Sequence, residues 1–341
     1  MMRWGKWIRR VSSGPRSSRW RSFATFIILF AFGGIAALSA ADEYVSLHRI
    51  AERFQLDPLW KEPEKTLLLR RDRAELSFTS ESREIKINGM RVFVGDPMRL
   101  HRDQLHISRT DFESTLRPLL APNSRAPGRL ETIVIDPGHG GRDRGTSYEP
   151  LKLLEKNLTL EVSRKLARRL QEEGYRVRLT RTADEYVSLE ERAAFANRVG
   201  ADLFISIRFN AVGKPDVRGT ETYLLTPRGQ RSTGQGEAAA SDSIGYPGNE
   251  NDHWNALLGF FLHRQLLRDL GSFDRGLKRA RFSVLRTVEA PAVLVEAGYL
   301  SNREEAHRVR TSAYQDKLVE SLVAGIKQYH QATNRIAAVR H

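Results

Sequence analysis

Residues 130–179 read LETIVIDPGHGGRDRGTSYEPLKLLEKNLTLEVSRKLARRLQEEGYRVRL. Glu131–Ile135 (ETIVI) is a short β-rich apolar run, as expected of a buried strand. Leu158, Val162, Leu166 and Leu170 then recur at helical spacing across Asn157–Glu173, and Gly174 stands where a helix stop belongs. Tyr175, Val177 and Leu179 alternate, which predicts another strand. The alternation continues outward. Ser188-Leu-Glu-Glu191 is a capping box opening a helix that stops near Gly200. Strands are predicted at Asp202–Ile207, Thr220–Leu225, Phe282–Leu285 and Ala292–Val295, with a closing helix from Ser312 to about His330 that starts on a Ser312-to-Gln315 cap. The pattern predicts an α/β fold: a mostly parallel twisted sheet with helices on both faces. A Gly/Ser-rich stretch between Pro227 and Asp252 reads either as a substrate-facing lid or as surface decoration.

Upstream, residues 42–125 read as a small α+β domain. A short helix (HRIAERFQL) follows Val45-Ser46-Leu47, strand-like runs follow at Thr66–Leu69, Ala74–Phe78, Glu84–Ile87 and Met90–Val94, and Asn88-Gly89 is a strong hairpin signal. His106–Ser108 and a helix from Asp111 to about Leu120 close the unit. A linker at 126–130, the main domain at 131–332 and a tail at 333–341 complete the predicted organisation. His48, His101 and His106 fit no metal-ligand spacing and read as surface residues.

The N-terminus reads as an address. Arg3, Lys6, Arg9, Arg10, Arg16, Arg19 and Arg21 precede the uncharged run Phe23–Ala41, with small residues Ser39, Ala40 and Ala41 before Asp42. That layout over residues 1–41 predicts a secretory signal peptide, or else an uncleaved membrane anchor, and export to the periplasm or cell envelope. The formal charge of the 341 residues is +14, and these seven cations supply half of it. The remainder is spread among many acids, so no nucleic-acid partner is expected. The absence of cysteine excludes disulfides, thiol catalysis and thiolate metal sites. Monomer is the default reading. Arg275, Lys278, Arg279 and Arg281 read as a solvated helix-to-strand turn, with polyanion binding as the weaker alternative.

Ligands of open α/β sheets gather beyond the carboxyl ends of the strands. Four segments place reactive residues there. Asp136-Pro-Gly-His139-Gly-Gly141 follows the first strand, and no Gly-Lys-Ser/Thr follows it, which argues against a phosphate loop. Glu155 opens the long helix, where an acid also suits the macrodipole. Ser206-Ile-Arg208-Phe-Asn210 ends a strand, and Glu296 follows four apolar residues in PAVLVEAGYLSN.

Together these segments resemble the zinc-dependent N-acetylmuramoyl-L-alanine amidases of the AmiC type, over about residues 130–332. The small unit before them is similar to accessory domains related to the copper amine oxidase N-terminal domain. By position, the resemblance makes His139 and Glu155 metal ligands and Glu296 the general base acting on a metal-bound water. Gly138, Gly140 and Asn210 would shape the pocket. It implies Zn²⁺ as cofactor, peptidoglycan as partner, and cleavage of the amide bond between the muramic acid lactyl group and L-alanine.

One position departs. The family's third ligand is a histidine in S-I-H-x-N, and here it is Arg208. Arginine stays protonated and has no lone pair for a metal. The expectation is that Arg208 turns to Glu155 or Glu296 as a bidentate partner, and that the site is either lost, completed by another histidine such as His253, or held more weakly by a second carboxylate and waters; His263, on a helix, reads as a packing or surface residue. The alternative function is then a catalytically impaired homologue that binds or regulates peptidoglycan.

Overall fold

The computed structural model describes residues 43–122 and 127–338. The signal or anchor read over residues 1–41 lies outside the described residues. The chain opens with β1 (Tyr44–Ser46) and a helix over Leu47–Phe54, whose start is held by Ser46 Oγ accepting from His48 N. Then come β2 (Asp57–Glu62), β3 (Thr66–Arg71), β4 (Ala74–Thr79), β5 (Glu84–Ile87), β6 (Met90–Phe93), β7 (Arg99–His101) and β8 (Gln104–Ser108). Asn88 and Gly89, at φ 50° and 82°, supply the left-handed pair that the β5–β6 turn requires.

The second part runs β9 (Thr132–Pro137), β10 (Ser147–Tyr148), β11 (Leu153–Leu154), helix Glu155–Glu172, β12 (Arg176–Leu179), helix Leu189–Arg198, β13 (Leu203–Asn210) and β14 (Thr220–Leu225). Helix Asp252–Leu270, β15 (Asp274–Ala280), β16 (Ala292–Tyr299) and the long helix Ser312–Ala338 complete it. The predicted capping box is formed: Ser188 Oγ accepts from Glu191 N at 3.2 Å, and Glu191 returns the bond to Ser188 N at 3.0 Å. The closing helix is capped one residue earlier than expected, by Thr311 Oγ1 accepting from Tyr314 N, while Ser312 bonds Asp316.

One eleven-stranded sheet carries the molecule, in the order β12-β9-β13-β16-β14-β15-β6-β5-β4-β3-β2. β12, β9, β13 and β16 are parallel, β14 runs antiparallel to β16, and β15 runs parallel to β14. β6 joins β15 at Val92 opposite Leu277, so strands from both predicted parts share the sheet. Alternation along the parallel strands splits the core in two. Ile133, Ile135, Ile205, Ile207, Val293 and Val295 pack with Leu158, Val162 and Leu166 of one helix layer. Val134, Phe204 and Leu294 pack on the other face with Ala193, Ala196 and Leu285. Each such side chain contributes about 1.5–3 kcal/mol on burial, an upper bound.

Three expectations change here. Phe282–Leu285 is not a strand; Ser283–Arg286 forms one helical turn, because a four-residue apolar run carries no period of its own. The basic stretch from Arg275 is not a solvated turn but β15, in which Arg279 is 3% exposed and donates to Ser114 O and Thr115 Oγ1. The Pro227–Asp252 segment is not a lid over the site; much of it is exposed surface. Because β14 is antiparallel, the segment leaves at the edge opposite the carboxyl ends of β9, β13 and β16. There Arg83 of the small unit donates to Gln235 O at 2.7 Å and Ser232 O at 2.9 Å.

Candidate active site

The carboxyl ends of β9, β13 and β16 bring Asp136–Gly141, Arg208–Asn210 and Glu296 to one edge, as the parallel pairing dictates. Two buried arginines fix the loop after β9. Arg181 donates to the carbonyls of Pro137 (3.0 Å), Gly138 (2.8 Å) and Lys156 (2.7 Å). Arg192 donates to Asp136 Oδ1 (2.6 Å), Pro137 O (2.7 Å) and His139 O (2.8 Å). These bonds hold His139 at φ 59°, a left-handed conformation that a non-glycine residue keeps only under constraint.

His139 Nδ1 lies 2.8 Å from Asp143 Oδ2 and Nε2 lies 3.1 Å from Glu155 Oε2. Glu155 begins its helix and is 2% exposed. Its carboxylate also accepts from Thr146 N at 2.9 Å and Phe209 N at 3.0 Å. Burial alone would raise its pKa; His139 and the two amides more than offset that and hold it below the ordinary value. Gly145, at φ 64°, has no room for a side chain: a Cβ there would stand 2.6 Å from both Glu155 Oε2 and His139 Cδ2.

Glu296 is the opposite case. Its Oε2 is shut off from solvent with no hydrogen-bond partner. Burial pushes its pKa well above the usual carboxylate range, Glu155 and Glu221 push further, and Arg208 and Lys278 oppose them only in part. Between its unfolded and folded pKa values the native state binds more protons, so this group lowers stability as pH rises. Glu296→Gln is therefore expected to leave stability unchanged near about pH 4 and to raise it at about pH 8. Thermal melts of both chains at the two pH values check this, and a pH-independent difference would mean that Glu296 rests ionised.

Arg208 does not turn to Glu155 or Glu296 as expected. Its Nε donates to Ser206 Oγ at 3.1 Å and its Nη2 reaches Asp136 Oδ2 at 3.4 Å. Glu155 already accepts from Thr146 N, Phe209 N and His139, while Gly138, lacking a Cβ, leaves the path open: a Cβ there would sit 2.4 Å from Arg208 Cδ. Gly140, at φ 131°, lets the loop pass within 2.1 Å, measured from a hypothetical Cβ, of Glu185 O. Asn210 Oδ1 accepts from Ala211 N at 2.8 Å, and its amide lies 3.4 Å from Glu221 Oε2.

His253 is not brought to this site. It lies on the helix reached from the opposite edge, against Trp254, and burial with Arg117 nearby lowers its pKa to about 4. His263 is a packing residue, as expected, pinned between Thr222 Oγ1 and Asp274 Oδ1 at 3.0 Å each. His101 and His106 face each other across β7 and β8, with ring centroids 6.0 Å apart. Among the described residues, no group of three His, Cys, Asp or Glu side chains is placed to hold a metal ion. His139 and Glu155 are a matched donor pair, but Arg208 offers none, so the residues present do not fit a centre with three protein ligands.

Sequence reasoning missed Asp136, Arg181, Arg192 and Glu221. Asp136 is fully buried and joins Thr180, Arg192, Ser206 and Arg208. Glu221 was signalled only by a charged residue inside the TETYLL strand.

The family model for N-acetylmuramoyl-L-alanine amidase (Amidase_3) matches residues 133–328. The chain belongs to this amidase family. N-acetylmuramoyl-L-alanine amidase AmiC of Escherichia coli O6:H1 is 32% identical over 246 residues, covering 65% of this chain and 59% of that protein. The probable cell wall amidase LytH of Staphylococcus epidermidis is 32% identical over 207 residues, covering 60% of each chain. The chain thus spans about three fifths of the length of these curated relatives. The crystal structure of an N-acetylmuramoyl-L-alanine amidase from Clostridium difficile 630 superposes with a TM-score of 0.50 at 31% identity, over 60% of this chain and 98% of that one. The matched family covers the α/β part and includes every residue of the cleft described above.

Proposed function

We propose that this protein is a peptidoglycan amidase that hydrolyses the amide bond between the N-acetylmuramic acid lactyl group and L-alanine of the stem peptide. The observation that carries the reading is the shielded Glu296 Oε2, without a hydrogen-bond partner, in the cleft with the His139–Glu155 pair, within an amidase-family frame. A carboxyl with a raised pKa is suited to proton transfer near neutrality. In its ionised form Glu296 would take a proton from the attacking water as the water oxygen bonds to the lactyl carbonyl carbon. It would return that proton to the alanine nitrogen as the C–N bond breaks. His139 is fixed in place by Asp143 through Nδ1, which leaves Nε2 against Glu155.

Arg208 favours a second reading, a peptidoglycan-binding or regulatory module without turnover, because it removes one donor from the cleft. Export to the periplasm or cell envelope, with the N-terminal segment as signal or membrane anchor, fits either reading and a wall substrate. No helix among the described residues is long and apolar enough to cross a membrane. The full chain incubated with purified sacculi, followed by mass spectrometry, decides between them. Release of stem peptides with a free L-alanine amine, abolished in Glu296→Gln, is the expected result. Binding to sacculi with no release would establish the second reading instead.

A further inference from the structure

Glu221 stands next to Glu296 in the sheet, paired with it in register. It is 1% exposed. Its Oε1 accepts from Tyr299 OH (2.6 Å), Lys278 Nζ (2.6 Å) and Arg275 Nε (2.9 Å), and its Oε2 from Tyr223 OH (2.8 Å). Burial would neutralise this carboxyl, but its donors more than offset that and hold its pKa below the ordinary value. Two cations therefore share one negative charge. Among the described residues, neither Arg275 nor Lys278 forms an ion pair with a second carboxylate. Both remain partly open, with side chains 28% and 14% exposed.

Aromatic rings line the same place. The Arg275 guanidinium lies 5.2 Å from the Tyr299 ring centre, and Lys278 Nζ lies 5.7 Å from Tyr223 and 5.8 Å from Phe93. Phe93 belongs to β6, so the small N-terminal unit contributes to this wall. Stacked rings and a buried counter-charge fix both cations in advance, which reduces the entropy lost when an anion docks. The surplus positive charge and the spare N–H donors beside Glu296 suit a carboxylate.

We propose that Arg275 and Lys278, held from beneath by Glu221, form a carboxylate-binding subsite beside Glu296 that recognises the acidic stem peptide of the substrate. The proposal rests on the peptidoglycan reading above. The test is calorimetric titration of the full chain with N-acetylmuramyl-L-alanyl-D-glutamate, and with the same ligand after both carboxylates are converted to amides. The acid is expected to bind about tenfold more tightly than the amide. Arg275→Gln and Lys278→Met should each remove most of that preference while leaving binding of the amide unchanged. Arg275→Gln keeps the Lys278–Glu221 pair, so it decides the matter even if Lys278→Met fails to fold. Equal binding of acid and amide overturns the subsite alone. Binding of neither ligand overturns the peptidoglycan reading, and the subsite with it.

Discussion

Replacing Arg208 by histidine is expected to raise zinc affinity by about a hundredfold or more, and to bring the full chain from well below stoichiometric zinc to near one equivalent. The reason is that two thirds of a donor set already stands. His139 Nε2 and Glu155 Oε2 are 3.1 Å apart. Two ligand atoms at about 2.0–2.1 Å from a tetrahedral zinc stand roughly 3.3 Å apart, so this pair needs only a small adjustment. Asp143 already orients the ring through Nδ1, the kind of outer partner that metal-binding histidines use. What is missing is a lone pair at position 208, whose Cα is the sheet neighbour of Glu296. The present guanidinium contributes a positive charge instead, and its exit toward Ser206 and Asp136 leaves no donor behind. Losing it costs Asp136 only its longest contact. Metal content after dialysis, with zinc titration calorimetry alongside, reads the effect in both chains. If Arg208→His held no more zinc than the unaltered chain, the cleft would have been rebuilt around the arginine. Equimolar zinc in the unaltered chain would instead require a donor outside the described residues or a centre with fewer protein ligands.

Much of this architecture was legible because its signals are local. The apolar ETIVI run, the four leucine and valine positions of the long helix, the Ser188–Glu191 box and Asn88-Gly89 each carry their conformation within a few residues. β15 was not legible, because its arginines and lysine read as solvated until β14 and Ser114 supply their acceptors. The same distinction separates the parts of the cleft. His139 after β9, Glu155 at its helix start and Glu296 after an apolar run announce themselves as reactive residues, whereas the groups that fix them depend on contacts far apart in sequence. Arg192 meets Asp136 from 56 positions away, and Glu221 meets Tyr299 from 78. The direction taken by Arg208 was misjudged for a related reason. A carboxylate attracts a guanidinium less when other donors already hold it, and Glu155 accepts from two backbone amides and His139.

Asp136→Asn should then be among the most damaging single changes in the molecule, costing about 3–5 kcal/mol of stability at neutral pH. Asp136 is 0% exposed, and the Arg192 and Arg208 side chains beside it are 2% and 9% exposed. Removing the charge leaves two guanidinium groups without it in a low-dielectric interior, and the new amide points a donor at donors. The loop should loosen as well, since Arg192 also carries His139 O. Burial would raise the Asp136 pKa, but Arg192, Arg208, Thr180 and Ser206 more than offset it and hold the value below that of a free aspartate. For a depressed carboxylate the stabilisation is present above the unfolded pKa and lost as pH falls through the folded one. The penalty of Asp136→Asn should therefore shrink as pH falls below about 4, measured by urea denaturation at decreasing pH. In the Arg208→His background the same change should cost about 1 kcal/mol less, because one buried guanidinium has gone. Strictly additive costs would mean that the 3.4 Å contact between Arg208 and Asp136 contributes nothing to where the arginine rests.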